Sequence, residues 1–510
     1  MDEVQTRFDE LQRKLVPLWH LIGRSDPGGF AQEENTIVVV PSLTVDLELK
    51  SSLTQAFEER FLFMLFLLRQ PRVRLIYVTS QGILPEIVDY YLHILPGVVA
   101  TNARKRLFLL SPRDASSRPL ISKLLERPRL IDQMRALIPD PDRAHLVPFT
   151  TTDQERELAV RLGIPMYATD PRFYAFGTKS GCRQIFAEEG VAHPLGFEDL
   201  RSAEDVVEAL ARMRARKPSM RHAIVKLNEG VLGMGNAIID LQDLPPPGHS
   251  SEQEALVERL HGLLFELPNN RYEEYIARLG ERGGIVEELI EGEEVRSPSA
   301  QLRVAPTGEV ELLSTHDQIL AGPSGQTYIG ARFPADRGYG PQIMAEAAKV
   351  GRRFAKEGII GRFALDFVVV RTAAGTWEVY ALEVNLRKGG TTHPFLTLQY
   401  LTDGQYDAET GVFRTARGAE KCYVASDRVE SPLYRGFTPD ALLDIVSANR
   451  LHFDHTSQTG VVLHMLSAVG ETGRLGLTAI ADSHAEADRL YRRTIDTLDQ
   501  EAQAALETES

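Results

Sequence analysis

The chain has 510 residues, 43% hydrophobic and 25% charged, with a formal net charge of -14. That size allows several buried cores and about three domains, and the acidic excess argues against non-specific nucleic-acid binding and for small-molecule partners. Only Cys182 and Cys422 are present, which excludes a disulfide scaffold and a multi-cysteine zinc site and fits a reducing compartment.

The opening residues, MDEVQTRFDE, are acidic rather than basic and then apolar. The longest apolar run, FLFMLFLL at 61–68, is too short to span a bilayer, so a cytoplasmic enzyme without membrane contact is expected. Residues 1–35 read as an N-terminal helical segment. From residue 36 the pattern alternates: a TIVVVP strand, a helix over 52–69, an RLIYVTS strand, a helix near 85–94 and an RLFLLSP strand. Helices near 119–137 and 153–162 surround the short strand AHLVPF, and MYATD at 166–170 is a candidate further strand. The alternation predicts a doubly wound, parallel α/β domain over 36–170. No glycine-rich dinucleotide fingerprint follows any of its strands.

Residues 171–425 mix helices with antiparallel strands, interrupted by DLPPPGHS at 243–250. GTKSGCRQIFAEEGVAHP, residues 177–194, reads as a helix from about Lys179, stopped by Gly190 and Pro194. A lysine in the first turn opposes the helix dipole, a cost that an anionic ligand would offset. HAIVKL at 222–227 and NAIIDL at 236–241 flank a glycine-rich hairpin tip holding Gly230, Gly233 and Gly235. Such glycines let backbone amides approach phosphates, with Lys226 as a point charge, although many glycine hairpins are simply turns. IVEELIEGEEV, residues 285–295, runs from an apolar strand into an acidic turn. Its carboxylates either face water or, in an adenine pocket, accept from the ring amine and the ribose hydroxyls.

RFALDFVVVR ends at Arg371, and ALEVNLRKGG spans 381–390. The four residues TAAG between strands predict a hairpin pairing Arg371 with Thr376 and setting Asp366 opposite Ala381. Asp366, Glu383 and Asn385 then share one face, the two carboxylates diagonal and about 7 Å apart. Two carboxylates and an amide carbonyl are hard oxygen ligands for magnesium, whose octahedron water and nucleotide phosphates would complete. Residues 426–510 read as a small α+β unit: a helix near 439–448, strands in VVLHMLSAV and GLTAIA, and a last helix opened by the capping box Ser483, His484, Ala485, Glu486.

In order and spacing, Lys179, Lys226 beside its glycine hairpin, VEELIEGEE, Asp366 and EVN at 383–385 resemble the motifs of the ATP-grasp superfamily. More narrowly, THDQILAGPSGQTYIGARFPAD at 315–336, LEVNLRKGGTTHPF at 382–395 and GVVLHMLSAVGETGRLGLTAIADS at 460–483 resemble the pheganomycin-type peptide ligases. The resemblance runs from about residue 36. It implies a pre-ATP-grasp domain, an ATP-grasp domain over 171–425 and a family-specific C-terminal domain over 426–510. The implied activity is ATP-dependent joining of a carboxylate to an amine or peptide through an acylphosphate, releasing ADP and phosphate.

The resemblance also assigns roles. Lys179 and Lys226 would contact the nucleotide phosphates under the loop of Gly230, Gly233 and Gly235. Glu287 would accept from the adenine amine, Ile290 would contact the ring through its backbone, and Glu294 would hold the ribose. Asp366, Glu383 and Asn385 would ligate two Mg2+ ions, and Arg387 would face the transferring phosphoryl group. Thr178 stands where many members have aspartate. Ala364 stands where D-alanine ligases have an oxyanion-stabilising arginine, so that role moves to Arg332 or Arg387 or is absent. His316 and His393 are candidate proton acceptors, and the segment 315–336 is expected to act as a closing loop. The alternatives are a small-molecule kinase on the same nucleotide site and a non-catalytic ATP-binding module; a homo-oligomer is left open.

Overall fold

A computed structural model describes residues 3–22, 33–44, 51–230, 235–266, 270–321, 325 and 327–508. The strands Leu107–Leu110, Val73–Val78, Asn35–Val40 and Ala144–Pro148 lie in that order in a parallel sheet. Alternate residues feed two cores: Val38, Val40, Ile76 and Val78 pack on one face, Ile37, Val39, Leu75 and Tyr77 on the other. This two-sided burial is why these strands read as unbroken apolar runs.

Three local expectations are corrected. The predicted helix over 52–69 is α-helical only at Ser51–Glu59 and continues as the 3-10 helix Arg60–Arg69. Its buried side chains, from Phe61 through Leu68, point in all directions, so no amphipathic stripe favours a 3.6-residue period. The helix expected over 119–137 is broken into Leu120–Leu125 and Pro128–Ala136, because Pro128 cannot continue a ladder and constrains Arg127 before it. MYATD makes a single bridge, Leu146 to Met166. The other polar groups of Met166 are satisfied by Gln12, which accepts from the Met166 amide at 2.7 Å and donates to its carbonyl at 2.9 Å. The helix Glu3–Gln12 is thereby docked on this domain, with Phe8 in its core.

Beyond residue 171 two large sheets form, besides the two-stranded pair Gln405–Asp407 and Val412–Arg414. One holds Gly196–Leu200, Gly284–Glu288, His222–Leu227, Asn236–Asp240 and Leu264–Phe265, in that order. The other has nine strands. Pro298–Val304 lies between Gly361–Arg371 and Val310–Ala321, Trp377–Asn385 pairs with Gly361–Arg371, and Thr327–Phe333, Cys422–Glu430, Arg474–Ala481 and Gly460–His464 continue beyond Val310–Ala321. Helix Gly340–Glu357 covers this sheet through Ile343, Ala347, Val350 and Phe354. The segment 315–336, expected as a loop, is mostly the two strands of a hairpin. Strand Cys422–Glu430 runs through the expected domain division at 425. Over the C-terminal strands lies helix His484–Thr508, whose Glu486 amide donates to Ser483 Oγ at 3.3 Å. Among the described residues no helix is long and apolar enough to cross a membrane.

Candidate active site

A cavity of about 490 Å³ is lined from both of the later sheets and from the first domain. Asp366, Glu383 and Asn385 lie on one wall, in a register that differs from the expected one. Arg371 pairs with Trp377, and Asp366 lies directly opposite Glu383. Two shifts of one residue produce the change. The turn closes between Thr372 and Thr376, with Gly375 at φ 80°, and a bulge between Asp366 and Phe367 takes up Leu382. Directly opposed side chains approach more closely than diagonal ones, to about 5 Å between Cβ atoms, so the bulge tightens the carboxylate pair.

The polar contacts converge. Asp366 accepts from Gln318 Nε2 at 2.7 Å and from Asn385 Nδ2 at 2.9 Å, and Asn385 Nδ2 also donates to Glu383 at 3.1 Å. The other Glu383 oxygen accepts from Lys179 Nζ. Burial raises the Asp366 carboxyl above its ordinary range, against the pull of Lys179 and Arg387. Burial and the neighbouring Lys226 bring Lys179 down to about 8. Gln318, which sequence reasoning did not single out, lies inside the quoted THDQIL run.

Lys179 is fixed by its backbone. Thr178 caps helix Lys179–Glu188 by accepting from the Gly181 amide at 3.1 Å. Asn228, just past strand His222–Leu227, accepts from the Ser180 amide at 2.9 Å and hydroxyl at 2.8 Å. The start of the helix is thereby tied to the glycine hairpin. Gly230 and Gly235 line the cavity, and a Cβ on Gly230 would come within 3.3 Å of the Gly235 amide. Gly233 lies outside the described residues.

Lys226 Nζ donates to Glu287 at 2.6 Å, and Arg183 Nη1 donates to the other Glu287 oxygen at 2.8 Å. Glu287 is 1% exposed, so this is a buried cation–carboxylate–cation triad. The expected adenine acceptor therefore has a prior task, holding Lys226 in place, and only its remaining lone pairs face a ligand. Leu289 and Ile290 line the same end of the cavity.

Two expected site residues are not brought here. Val295 and Ser297 line the cavity, and strand alternation turns Glu294 away from it. Glu294 instead accepts from Arg296 at 2.5 Å and Arg371 at 3.1 Å. Arg332 pairs in register with Asp317, on the face of its strands opposite Gln318. It donates to Asp488 at 3.1 Å and lines a separate cavity of about 510 Å³. Arg332→Ala is accordingly expected to change turnover by less than about twofold, measured as kcat and KM for each substrate, because a surface ion pair contributes little and no reacting group is near.

Arg387 does line the cavity, and burial lowers its pKa. His316 does not line it: its Nε2 lies 2.9 Å from Tyr423 Oη in the core. His393 is equally buried, with Nε2 3.0 Å from His464 Nε2 and 3.2 Å from Asp427, and burial brings it down to about 3. Arg60, Asp427, Arg428 and Arg474 also line the cavity. No local motif marks them, since they come from the first domain and the C-terminal region.

The sequence profile of the IQCH-like ATP-grasp family matches residues 172–261 and 249–409, and that of the PGM1 C-terminal domain matches 441–494. L-propargylglycine–L-glutamate ligase of Streptantibioticus cattleyicolor is 33% identical over 441 residues, spanning 85% of this chain and 87% of that protein. Among solved structures, a biotin carboxylase complex from Campylobacter jejuni superposes with a TM-score of 0.54 at 12% identity, covering 92% of this chain and 95% of that one. An ADP complex of N5-carboxyaminoimidazole ribonucleotide synthetase gives 0.51 at 10% identity, covering 94% and 99%. These two similarities speak for the fold alone. The family profiles, and a relative matched along most of both chains, place this chain among the ATP-grasp peptide ligases of the pheganomycin type, ATP-dependent enzymes that form carbon–nitrogen bonds.

Proposed function

We propose that this ligase activates the carboxylate of an amino acid or short peptide as an acylphosphate and joins it to an amino group. The observation that carries this reading is the convergence of Asp366, Glu383 and Asn385 with Lys179 and Arg387 in one cavity. The relative from Streptantibioticus cattleyicolor is named for joining one amino acid to another, which supports amino-acid substrates here.

The donor set fits magnesium: two carboxylates face each other and an amide can turn its oxygen toward them. We assign Asp366, Glu383 and Asn385 as the residues that would hold the ion or ions. When bound, magnesium would offset the charge of the nucleotide phosphates and of the phosphoryl group in transfer. Lys179 and Lys226 would then hold phosphate oxygens, Gly230 and Gly235 would let the hairpin lie close over them, and Leu289 and Ile290 would flank the base.

An oxygen of the substrate carboxylate attacks the γ-phosphorus, forming an O–P bond as the bond to the bridging oxygen breaks and ADP leaves. Arg387 stabilises negative charge on the transferring group. A neutral amine then adds to the acyl carbonyl, the carbon–oxygen bond to phosphate breaks, and the departing phosphate carries away the amine proton. We assign to Arg387, one of the arginines that line the cavity, the oxyanion of that second step, the role left open at Ala364.

Lys179 sets a pH dependence. A lysine held near 8 is charged at neutral pH and loses its proton as pH rises through that value, removing charge from the phosphate site. kcat/KM for ATP is expected to fall above about pH 8, whereas Lys179→Arg, which stays charged, is expected to flatten the profile. An unchanged profile in the variant would remove Lys179 from this role.

The proposal is tested by measuring ADP release with magnesium ATP and pooled amino acids and short peptides, with hydroxylamine present. Acid-dependent ADP release with a hydroxamate product supports acylphosphate chemistry. ADP release with a stable phosphorylated product and no hydroxamate would replace the ligase reaction by a kinase one.

A further inference from the structure

The first domain and the C-terminal strands bring further positive charge to the cavity. Arg60, Arg428 and Arg474 line it together with the carboxylate of Asp427. Arg428 is half exposed and turned to Glu430 at 3.2 Å. Asp427 is already saturated: Oδ2 accepts from Arg60 Nη1 at 2.6 Å, and Oδ1 lies 2.8 Å from His464 Nε2 and 3.2 Å from His393 Nε2. Although burial alone would raise it, the contacts with His393 and Arg60 hold this carboxyl well below the usual range, so it stays ionised and fixes Arg60.

Arg474 meets Asp427 differently, donating from Nε to the backbone carbonyl at 2.7 Å. No carboxylate is hydrogen-bonded to it among the described residues. Arg60 is 7% exposed, and its Nε is buried without a partner. Both guanidinium groups lie over the ring of Phe57, at 5.0 Å and 5.8 Å, and Arg60 also lies over Phe149 at 5.2 Å. Asp427 answers the charge of Arg60, and the aromatic faces orient the two forks without cancelling the second charge, that of Arg474. A planar anion bound by both would do so, and a carboxylate matches fork geometry.

That anion is distinct from the groups that react. A carboxylate about to attack phosphorus needs a free oxygen, and the phosphates are served by Lys179, Lys226 and Arg387. We propose that Arg60 and Arg474 form a subsite for a free carboxylate that the substrate keeps throughout the reaction. This rests on the ligase reading and narrows its substrates to those carrying such a group: an acceptor amino acid through its own carboxylate, or an activated acid with a second one.

The experiment uses the full-length enzyme and the substrate pair found by hydroxamate and amide formation. Each non-reacting carboxylate is replaced in turn by a carboxamide. Capping the recognised carboxylate is expected to raise KM for that substrate at least about tenfold, the loss typical of one charge-assisted contact. Arg474→Gln should raise KM for the uncapped substrate by a similar factor, with KM for ATP unchanged, and should add no further loss with the capped one. Sensitivity confined to the acceptor or to the activated acid identifies which substrate occupies the subsite. Equal turnover of both capped substrates, or an Arg474→Gln enzyme with unchanged KM for both, would overturn the proposal. Arg474 is used because removing Arg60 strands buried Asp427, and the thermal midpoint of Arg474→Gln confirms folding. Failure to form hydroxamate with any acid would instead count against the ligase reading.

Discussion

Glu383→Ala is expected to lower amide formation by a factor of about 10³ or more, since on the proposed assignment it removes a carboxylate that holds magnesium, forfeiting several kcal/mol of charge stabilisation in the transition state, and each 1.4 kcal/mol is tenfold. The geometry gives Glu383 three simultaneous relationships: opposite Asp366 in the strand register, bonded to Asn385 at 3.1 Å and ion-paired to Lys179. Removing it leaves Asp366 as the remaining carboxylate of the set and frees Lys179 from its anchor. The loss should appear in ADP release and hydroxamate yield alike, because phosphoryl transfer comes first. Nucleotide binding without magnesium should change only a few-fold, because Lys226 and the hydrophobic end of the cavity are untouched. Glu383→Gln, which keeps the shape and loses the charge, should be nearly as impaired. An alanine variant retaining a tenth of the activity would show that this carboxylate holds no essential ion.

The second large effect is on stability. Glu287→Ala is expected to destabilise the protein by about 3–5 kcal/mol, because it leaves buried Lys226 without its counter-charge and buried Arg183 with Glu198 alone. The side chains of Arg183 and Lys226 are 2% and 7% exposed, so water cannot replace the lost carboxylate. The midpoint of denaturant unfolding should fall with little change in its slope. Glu287→Met combined with Arg183→Met should be less destabilised than the sum of the two single changes, since the pair is coupled through direct hydrogen bonds. KM for ATP should rise in Glu287→Ala even where the protein remains folded, because Lys226 loses the contact that aims it. Additive effects in the double variant would mean that the triad is not the source of the loss.

The parts of the site legible in the sequence were those written into single strands. Alternation placed Asp366, Glu383 and Asn385 on one face before any register was known, and a lysine at a helix start beside a glycine hairpin pointed to an anion. Each error has a physical cause that pattern cannot show. The bulge at Asp366 and the one-residue shift of the turn convert a diagonal pair into an opposed one. Glu294 and Arg332 sit on the outward faces of strands whose neighbours point in, and an acidic or basic residue has no apolar periodicity to reveal its side. Helix 52–69 failed because a run apolar on every side is compatible with several backbone geometries once it is fully enclosed. Arg60, Asp427 and Arg474 were out of reach for a different reason: they meet only when three distant stretches of chain assemble.

Strand Cys422–Glu430 pairs with Thr327–Phe333 on one side and with Arg474–Ala481 on the other. The C-terminal region is thus woven into the nine-stranded sheet rather than appended to it. A recombinant chimera spliced at residue 425 would cut between Ala425, paired with Ala331 and Thr478, and Ser426, paired with Gly330 and Leu477. The incoming half would have to reproduce that hydrogen-bond register to remain folded. Exchange of this region between relatives is therefore constrained to whole-strand units beginning before Cys422, and whatever selectivity Asp427 and Arg474 confer would travel with the two interior strands that carry them.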